Sequence, residues 1–351
     1  MGKNFQIQDL VRDNVRKLKP YSSARDEFKD FTSEMVFLDA NENPFNNGVN
    51  RYPDPQQRSL KTILADQKKV RENQILLGNG SDEVLDLIIR AFCEPNADEI
   101  VTLPPTYGMY KVLAETNAIH NIEVNLTKDF EPNVDEILNC ITPRTKIIFL
   151  CSPNNPTGNS FQSKGIFNLL RAFTGIIVID EAYIDFSKEE SWINRLVDFP
   201  NLIVTQTLSK AYGMAGIRLG CCYSSEEIIE ILNKIKPPYN VNELTQLKAI
   251  ERVMDQNLVR QEVEAILSQR DTLNNALEGI KFILHIYPSD ANFILVKVDD
   301  ANLRYEQLIS KGIVIRNRST QPLCDNTLRF TVGTEEENNQ LLTALKEIAN
   351  G

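Results

Sequence analysis

The stretch Gly175-Ile176-Ile177-Val178-Ile179-Asp180-Glu181-Ala182-Tyr183 decides the fold class of this chain. Four successive β-branched apolar residues predict a strand that is covered on both faces, as strands of parallel sheets are. Asp180 ends this strand, and a buried carboxylate is unfavourable unless a partner neutralises it. A cationic ring nitrogen of a bound molecule would be such a partner. A helix N-cap or a metal ligand is the alternative, but no histidine or second ligand cluster lies nearby in the sequence.

Further apolar runs alternate with helical patterns on both sides of this stretch, which is typical of an α/β fold with a parallel sheet. We predict strands at 75–77, 99–103, 146–151, 202–206 and 218–223, and a helix over 82–93. Pro237 and Pro238 follow a helical pattern and indicate a domain junction. Beyond them we predict one or two long helices over 241–280, strands near 293–298, 312–316 and 328–332, and a last helix over 335–349.

Composition narrows the class of protein. With 351 residues the chain is long enough for about two domains. Its net charge of −10 disfavours nucleic acid and anionic membranes as partners. Six cysteines without a Cys-x-x-Cys pair, and only two histidines, argue against a structural zinc site and for reduced thiols. The N-terminus has no signal-peptide pattern and no run approaches the roughly 20 apolar residues of a membrane span, so we predict a soluble cytoplasmic protein without a bound metal.

Polar residues follow the other predicted strands at their carboxyl ends, where open α/β sheets bind ligands. Asn155 comes after strand 146–151, and Lys210 comes after strand 202–206. A lysine at such a position can form a Schiff base with an aldehyde and, once freed, can move protons. Most lysines are solvated surface residues, but the neighbouring Ser209 and Arg218 favour the functional interpretation.

Gly78-Asn79-Gly80-Ser81 opens the helix predicted over 82–93, so its backbone N–H groups could bind a phosphate at the positive end of the helix dipole. The pattern lacks the Gly-Lys-Ser/Thr of a Walker sequence. Ser209 and Arg218 could complete such a site, Arg218 bidentately. We expect Asp82 and Glu83 to point away from it or to stabilise the helix start. Tyr107, which follows another strand, offers an aromatic face to a flat ring, although a core tyrosine is the common alternative.

Together these motifs resemble fold-type I aminotransferases, which use pyridoxal 5′-phosphate (PLP). The resemblance rests on Asn154-Asn155-Pro156-Thr157-Gly158, Asp180-Glu181-Ala182-Tyr183 and Ser209-Lys210 with Arg218, in matching order over residues 35–333. It implies that Lys210 holds the cofactor aldehyde, Asp180 the pyridine nitrogen, and Asn155 with Tyr183 the ring hydroxyl. It implies Lys210, Asp180 and Tyr183 as catalytic residues. Tyr107 would stack on the ring, and the phosphate would be bound by Gly80, Ser81, Ser209 and Arg218.

The same resemblance implies an architecture. The large PLP-binding domain would span 46–240 and contain a mostly parallel seven-stranded sheet flanked by helices. Residues 1–45 and 241–351 would form a smaller α+β domain from an N-terminal arm and a C-terminal portion. The family is also expected to form a homodimer.

Further motifs resemble the histidinol-phosphate aminotransferase branch of that family. They include Lys19-Pro20-Tyr21-Ser22-Ser23-Ala24-Arg25, Arg51-Tyr52-Pro53-Asp54, Ile315-Arg316-Asn317-Arg318 and Leu328-Arg329-Phe330-Thr331-Val332-Gly333-Thr334. The resemblance implies that substrate is bound by Tyr21, Asn155, Arg316, Arg329 and a Tyr52 from the partner subunit. A planar guanidinium can pair with either a phosphate or a carboxylate. Arg318 is a candidate beside Arg316, of which we favour Arg316.

The implied reaction is transamination of L-histidinol phosphate with 2-oxoglutarate, giving imidazole acetol phosphate and L-glutamate in histidine biosynthesis. An aromatic amino-acid aminotransferase and a threonine-phosphate decarboxylase stay open as alternatives on the same scaffold. A ligand-sensing regulator of aminotransferase fold is a remote one. It would need an appended winged-helix DNA-binding domain, whereas the resemblance begins at residue 35 and the chain is acidic.

Overall fold

A computed structural model of the protein describes residues 6–20 and 36–350. A seven-stranded sheet lies at its centre, in the order β1-β7-β6-β5-β4-β2-β3. Its strands are β1 (Ile75–Asn79), β2 (Glu99–Thr102), β3 (His120–Glu123), β4 (Thr145–Cys151), β5 (Ile176–Asp180), β6 (Leu202–Thr207) and β7 (Leu219–Tyr223). Neighbouring strands are parallel except where β7 pairs with β1 and β6. The prediction of a mostly parallel seven-stranded sheet is confirmed.

Helices cover both faces of this sheet, as the continuous apolar runs predicted. Along β5, Ile177 and Ile179 belong to one buried apolar cluster and Ile176 and Val178 to another, because successive side chains of a strand point to opposite faces. The helices are α1 (Asp13–Lys17), α2 (Arg58–Lys68), α3 (Gly80–Phe92), α4 (Met109–Thr116), α5 (Val134–Cys140), α6 (Ser163–Ala172), α7 (Glu226–Ile235), α8 (Glu243–Met254), α9 (Gln256–Leu277), α10 (Ala301–Ser310) and α11 (Glu335–Asn350).

A second sheet of four antiparallel strands follows in the order β10-β11-β9-β8. Its strands are β8 (Ile283–Ile286), β9 (Phe293–Val298), β10 (Arg316–Asn317) and β11 (Thr327–Thr331). A third apolar cluster joins this sheet to the end of α9 and to α11. Ala249 of α8 and Val15 of α1 are instead buried in the clusters of the large sheet. The division into 46–240 and the remainder stays a prediction.

Four strand assignments differ in substance from the sequence-based ones. β3 and β8 were not anticipated, because both are edge strands with partly exposed side chains and lack a continuous apolar run. The strand expected over 312–316 is displaced, since β10 begins only at Arg316. Arg218 does not belong to β7; it precedes the strand with a left-handed backbone, φ +56°.

Candidate active site

The carboxyl ends of β1, β4, β5 and β6 lie at one edge of the large sheet, because these strands run in the same direction. A cavity of about 460 Å³ opens at this edge, and β10 and β11 of the second sheet contribute residues to it. The structure brings together there most of the site residues predicted from the sequence: Ser81, Tyr107, Asn155, Asp180, Tyr183, Ser209, Lys210, Arg218, Arg316 and Arg329.

Asp180 is the buried carboxylate of the cavity, with 3% of its surface exposed. The Tyr110 hydroxyl donates to Asp180 Oδ2 at 2.7 Å, and the Ala182 N–H donates to Oδ1 at 3.2 Å. Burial raises the pKa of Asp180, and the bond from Tyr110 opposes that rise. Asp180 has no ion pair with any described residue. The carboxylate is therefore oriented, buried and short of a cation.

Lys210 lies beside the ring of Tyr183, with Nζ 5.6 Å from the ring centroid. Burial lowers the pKa of the Lys210 amine, and the guanidinium of Arg329 lowers it further. A larger neutral fraction makes the amine a better nucleophile and base. Burial raises the pKa of Tyr183, so its phenol stays protonated and available as a donor.

The start of α3 and the segment before β7 approach each other closely beside the cavity. Gly80 has φ +78° and donates its N–H to the Arg218 carbonyl at 2.8 Å. A Cβ on Gly80 would stand 2.7 Å from Arg218 Nη2, and one on Gly220 would stand 2.3 Å from the Ser81 nitrogen. Both glycines are therefore required for the close approach of Arg218 and β7 to the helix N-terminus. This is the region predicted to bind phosphate, and in it Gly80 lies directly against the guanidinium of Arg218.

The two acidic residues after Ser81 behave differently from each other. Glu83 accepts from the Asn79 N–H at 2.5 Å and stabilises the helix start, as expected. Asp82 does not point away but lines the cavity. It accepts from the Tyr107 hydroxyl at 3.0 Å and lies 3.6 Å from Arg218 Nη2. Asp82 thus connects the tyrosine predicted to stack on a ring with the arginine predicted to bind phosphate.

The opposite wall of the cavity is basic. Arg316 and Arg329 are directly opposite each other in the β10–β11 register, so their side chains share a face. Arg329 Nη1 donates to Asn155 Oδ1, which joins the second sheet to the loop after β4. Burial lowers the pKa of Arg329 to about 10, and Arg318 and Arg316 contribute. Its Nε is buried without a hydrogen-bond partner among the described residues.

Two predicted substrate residues are not placed at this cavity. Tyr52 stacks on Tyr239 with ring centroids 4.5 Å apart and lines a separate surface cleft with Asn41 and Leu244. Tyr21 lies outside the described residues.

Tyr110 and Asp82, which the sequence reasoning did not assign to the site, also belong to it. Arg318, the less favoured of the two candidates with Arg316, lines the cavity as well. Tyr110 orients Asp180 and stacks on Phe149 at 4.9 Å. Its spacing of three from Tyr107 at a helix start was the available signal, since such residues share a face. Asp82 carries no comparable signal, because only the fold turns it towards the cavity.

No cluster of three or more His, Cys, Asp or Glu side chains suited to a metal occurs among the described residues. The cysteines are unpaired thiols. None of the helices in residues 6–20 and 36–350 is long and apolar enough to cross a bilayer.

Comparison with known proteins agrees with this geometry. The family model of aminotransferase class I and II matches residues 24–345, so the chain belongs to the class I and II aminotransferases. Within that family, the histidinol-phosphate aminotransferase of Flavobacterium johnsoniae is 64% identical over 97% of this chain and 98% of its own length. The histidinol-phosphate aminotransferase of Christiangramia forsetii is 62% identical over 99% of both chains.

Solved structures agree with the fold. The histidinol-phosphate aminotransferase of Clostridium acetobutylicum superposes with a TM-score of 0.80 at 25% identity, covering 86% of this chain and 91% of that one. The enzyme of Sinorhizobium meliloti, solved in complex with pyridoxal 5′-phosphate, superposes with a TM-score of 0.79 at 25% identity, covering 86% and 83%. The fold-type I architecture and the family resemblance inferred from the motifs are confirmed.

Proposed function

We propose that the protein transfers the amino group of L-histidinol phosphate to 2-oxoglutarate, with PLP as its cofactor, and so produces imidazole acetol phosphate and L-glutamate in histidine biosynthesis. One observation supports this most directly: Lys210, Asp180 and a wall of arginines line one cavity in a chain 62–64% identical to histidinol-phosphate aminotransferases. The activity corresponds to histidinol-phosphate transaminase.

The residues present fit PLP. Asp180 is a buried carboxylate that lacks a cation, which a protonated pyridine nitrogen would supply. The recess lined by Ser81, Ser209 and Arg218 suits the phosphate. Gly80, whose N–H donates to the Arg218 carbonyl, leaves the space that the Arg218 guanidinium occupies. Tyr107 would stack on the ring, while Asn155 and Tyr183 would hydrogen-bond its hydroxyl. Bound there, the cofactor supplies an electron sink for the carbanion left when the substrate carbon loses a proton.

The chain's own residues do the remaining work. Lys210 Nζ takes the proton from the substrate carbon that bears the amine, because its lowered pKa leaves it partly neutral. Tyr110 and the Ala182 N–H orient Asp180 and favour its ionised form, against the effect of burial. Arg329 binds the anionic end of either substrate, since a guanidinium accepts phosphate and carboxylate alike. The same cavity can therefore serve both halves of the reaction.

The test is to mix the PLP-loaded enzyme with one amine donor at a time and follow the visible absorption of the cofactor. We expect rapid conversion by histidinol phosphate and slow conversion by phenylalanine and threonine phosphate. Faster conversion by phenylalanine would identify an aromatic amino-acid aminotransferase. Release of carbon dioxide from threonine phosphate would identify a decarboxylase. Lack of reaction with histidinol phosphate would refute the proposal.

We also propose a cytoplasmic homodimer in which Tyr52 enters the partner's site. Tyr52 is half exposed and does not reach the cavity of its own chain. Val36, Leu38 and Phe45 of the same segment are at least 80% exposed, which is the character of an interface. Mixing Tyr52→Ala with Lys210→Ala chains tests this, because each mixed dimer then contains one complete site. Recovered activity would support the shared site. A protein that sediments as a monomer in analytical ultracentrifugation would contradict it.

A further inference from the structure

Arg318 is a cation of the cavity that the reaction described so far does not use. It lies two residues after Arg316 and follows β10, where its N–H donates to the Thr327 carbonyl at 2.9 Å. Because side chains two apart on an extended segment share a face, Arg318 faces the cavity with Arg316 and Arg329. The three guanidinium groups come from β10, the residue just after it and β11.

Arg318 has no counter-charge in the part of the chain that the structure describes. Its Nε is buried, and no described group accepts a hydrogen bond from it. Burial lowers the pKa of Arg318, and the like charge of Arg316 lowers it further. A buried guanidinium nitrogen left without an acceptor is unfavourable, and such groups in native proteins need an explanation. An anionic ligand in the cavity would provide the missing acceptor.

The charge balance of the cavity assigns these cations to substrate. The lining has five basic side chains, Lys210, Arg218, Arg316, Arg318 and Arg329, against the two carboxylates Asp82 and Asp180. Arg218 lies 3.6 Å from Asp82 in the phosphate recess, at the other end of the cavity. Once the cofactor groups are assigned, three arginines remain for the substrate's anionic end.

Three guanidinium groups are more than one carboxylate requires. A single arginine can bind both carboxylate oxygens through its planar fork. A phosphate monoester carries nearly two charges and three terminal oxygens, so it can accept from all three arginines. One nitrogen of Arg329 already donates to Asn155, so Arg316 and Arg318 can donate to more of the phosphate oxygens.

We propose that Arg318 is a specificity-determining residue that recognises the phosphate of the substrate and favours it over a carboxylate. This inference rests on the proposed function, since it concerns the phosphate of histidinol phosphate. Arg316 and Arg329 serve both substrates, whereas Arg318 supplies the additional charge that only a dianion needs.

The test compares Arg318→Gln and Arg318→Lys with the wild-type holoenzyme. Arg260→Gln is the matched control, because Arg260 is an exposed arginine of helix α9. For Arg318→Gln we expect kcat/KM for histidinol phosphate to fall about tenfold or more, the usual effect of losing a hydrogen bond between charged groups. The kcat/KM for histidinol, which lacks the phosphate, should change little. The kcat/KM for glutamate should fall less than that for histidinol phosphate. Arg318→Lys should be intermediate, because lysine keeps the charge but not the fork. Arg260→Gln should resemble the wild type.

A binding measurement separates this inference from the proposed function. The affinity of the holoenzyme for inorganic phosphate, measured by calorimetry, should also fall about tenfold in Arg318→Gln. Equal losses with histidinol phosphate, histidinol and glutamate would overturn the role of Arg318, as would unchanged phosphate affinity. A wild-type enzyme inert towards histidinol phosphate would overturn the proposed function instead, and the phosphate measurement would still decide the role of Arg318.

Discussion

Replacement of Gly80 by alanine should produce two separable effects. The first is on stability: Gly80 has φ +78°, and a left-handed backbone at an L-residue costs about 1–2 kcal/mol. For a chain of this length that cost lowers the thermal midpoint by roughly 1–3 °C. This backbone cost is present with or without cofactor, so it does not change the affinity for PLP. The second effect is on PLP affinity, because the new Cβ would stand 2.7 Å from Arg218 Nη2 and must displace the guanidinium.

Loss of a charged hydrogen bond from Arg218 to the cofactor phosphate corresponds to about 1.5–3 kcal/mol, and so to a ten- to hundredfold weaker Kd for PLP. The Kd is measured by titrating the apoenzyme with PLP and following the cofactor's absorption. Gly165→Ala in helix α6 is the matched control, because the new Cβ would only touch Val134 of helix α5, at 3.5 Å. A lowered thermal midpoint with unchanged PLP affinity would refute the assignment of Arg218 to the phosphate recess.

Two other variants test the site, and a third tests the contribution of the buried carboxylate Glu181 to stability. Lys210→Ala should reduce turnover of histidinol phosphate at least about a thousandfold while PLP still binds, and retained turnover would contradict the role of Lys210. Tyr110→Phe removes the 2.7 Å hydrogen bond to Asp180, so the pKa of Asp180 should rise. We expect kcat to fall roughly tenfold and the acid limb of the pH profile of kcat to move to higher pH. An unmoved acid limb would count against the role of Tyr110 in orienting Asp180. Burial raises the pKa of Glu181 from 4.5 to about 7. Between these pH values the folded protein keeps a proton that the unfolded chain releases. The free energy of unfolding therefore falls as pH rises across that interval. Glu181→Gln should remove this part of the pH dependence of the thermal midpoint, and an identical pH dependence in both proteins would exclude Glu181 as its source.

Sequence patterns were sufficient for the buried strands of the large sheet and for the polar residues at their carboxyl ends. Continuous apolar runs identify strands buried on both faces, and parallel strands bring their carboxyl ends to one edge. Asn155, Asp180 and Lys210 could therefore be placed together although they are distant in sequence. Edge strands escaped the same reasoning, because β3 and β8 bury too few side chains to show an apolar pattern.

The tertiary structure decided which other groups meet those residues. Tyr110 reaches Asp180 across 70 positions and Arg329 reaches Asn155 across 174, contacts that no local pattern encodes. The place of Arg318 depends on the pairing of β10 with β11, since a one-residue slip would turn its side chain to the other face. The sequence by itself therefore determined the α/β class, through local periodicity, and its motifs carried the resemblance that implied the fold type and the cofactor. The arrangement of the charges in the cavity was decided only by the register and packing of two sheets, because neither is encoded in a local pattern.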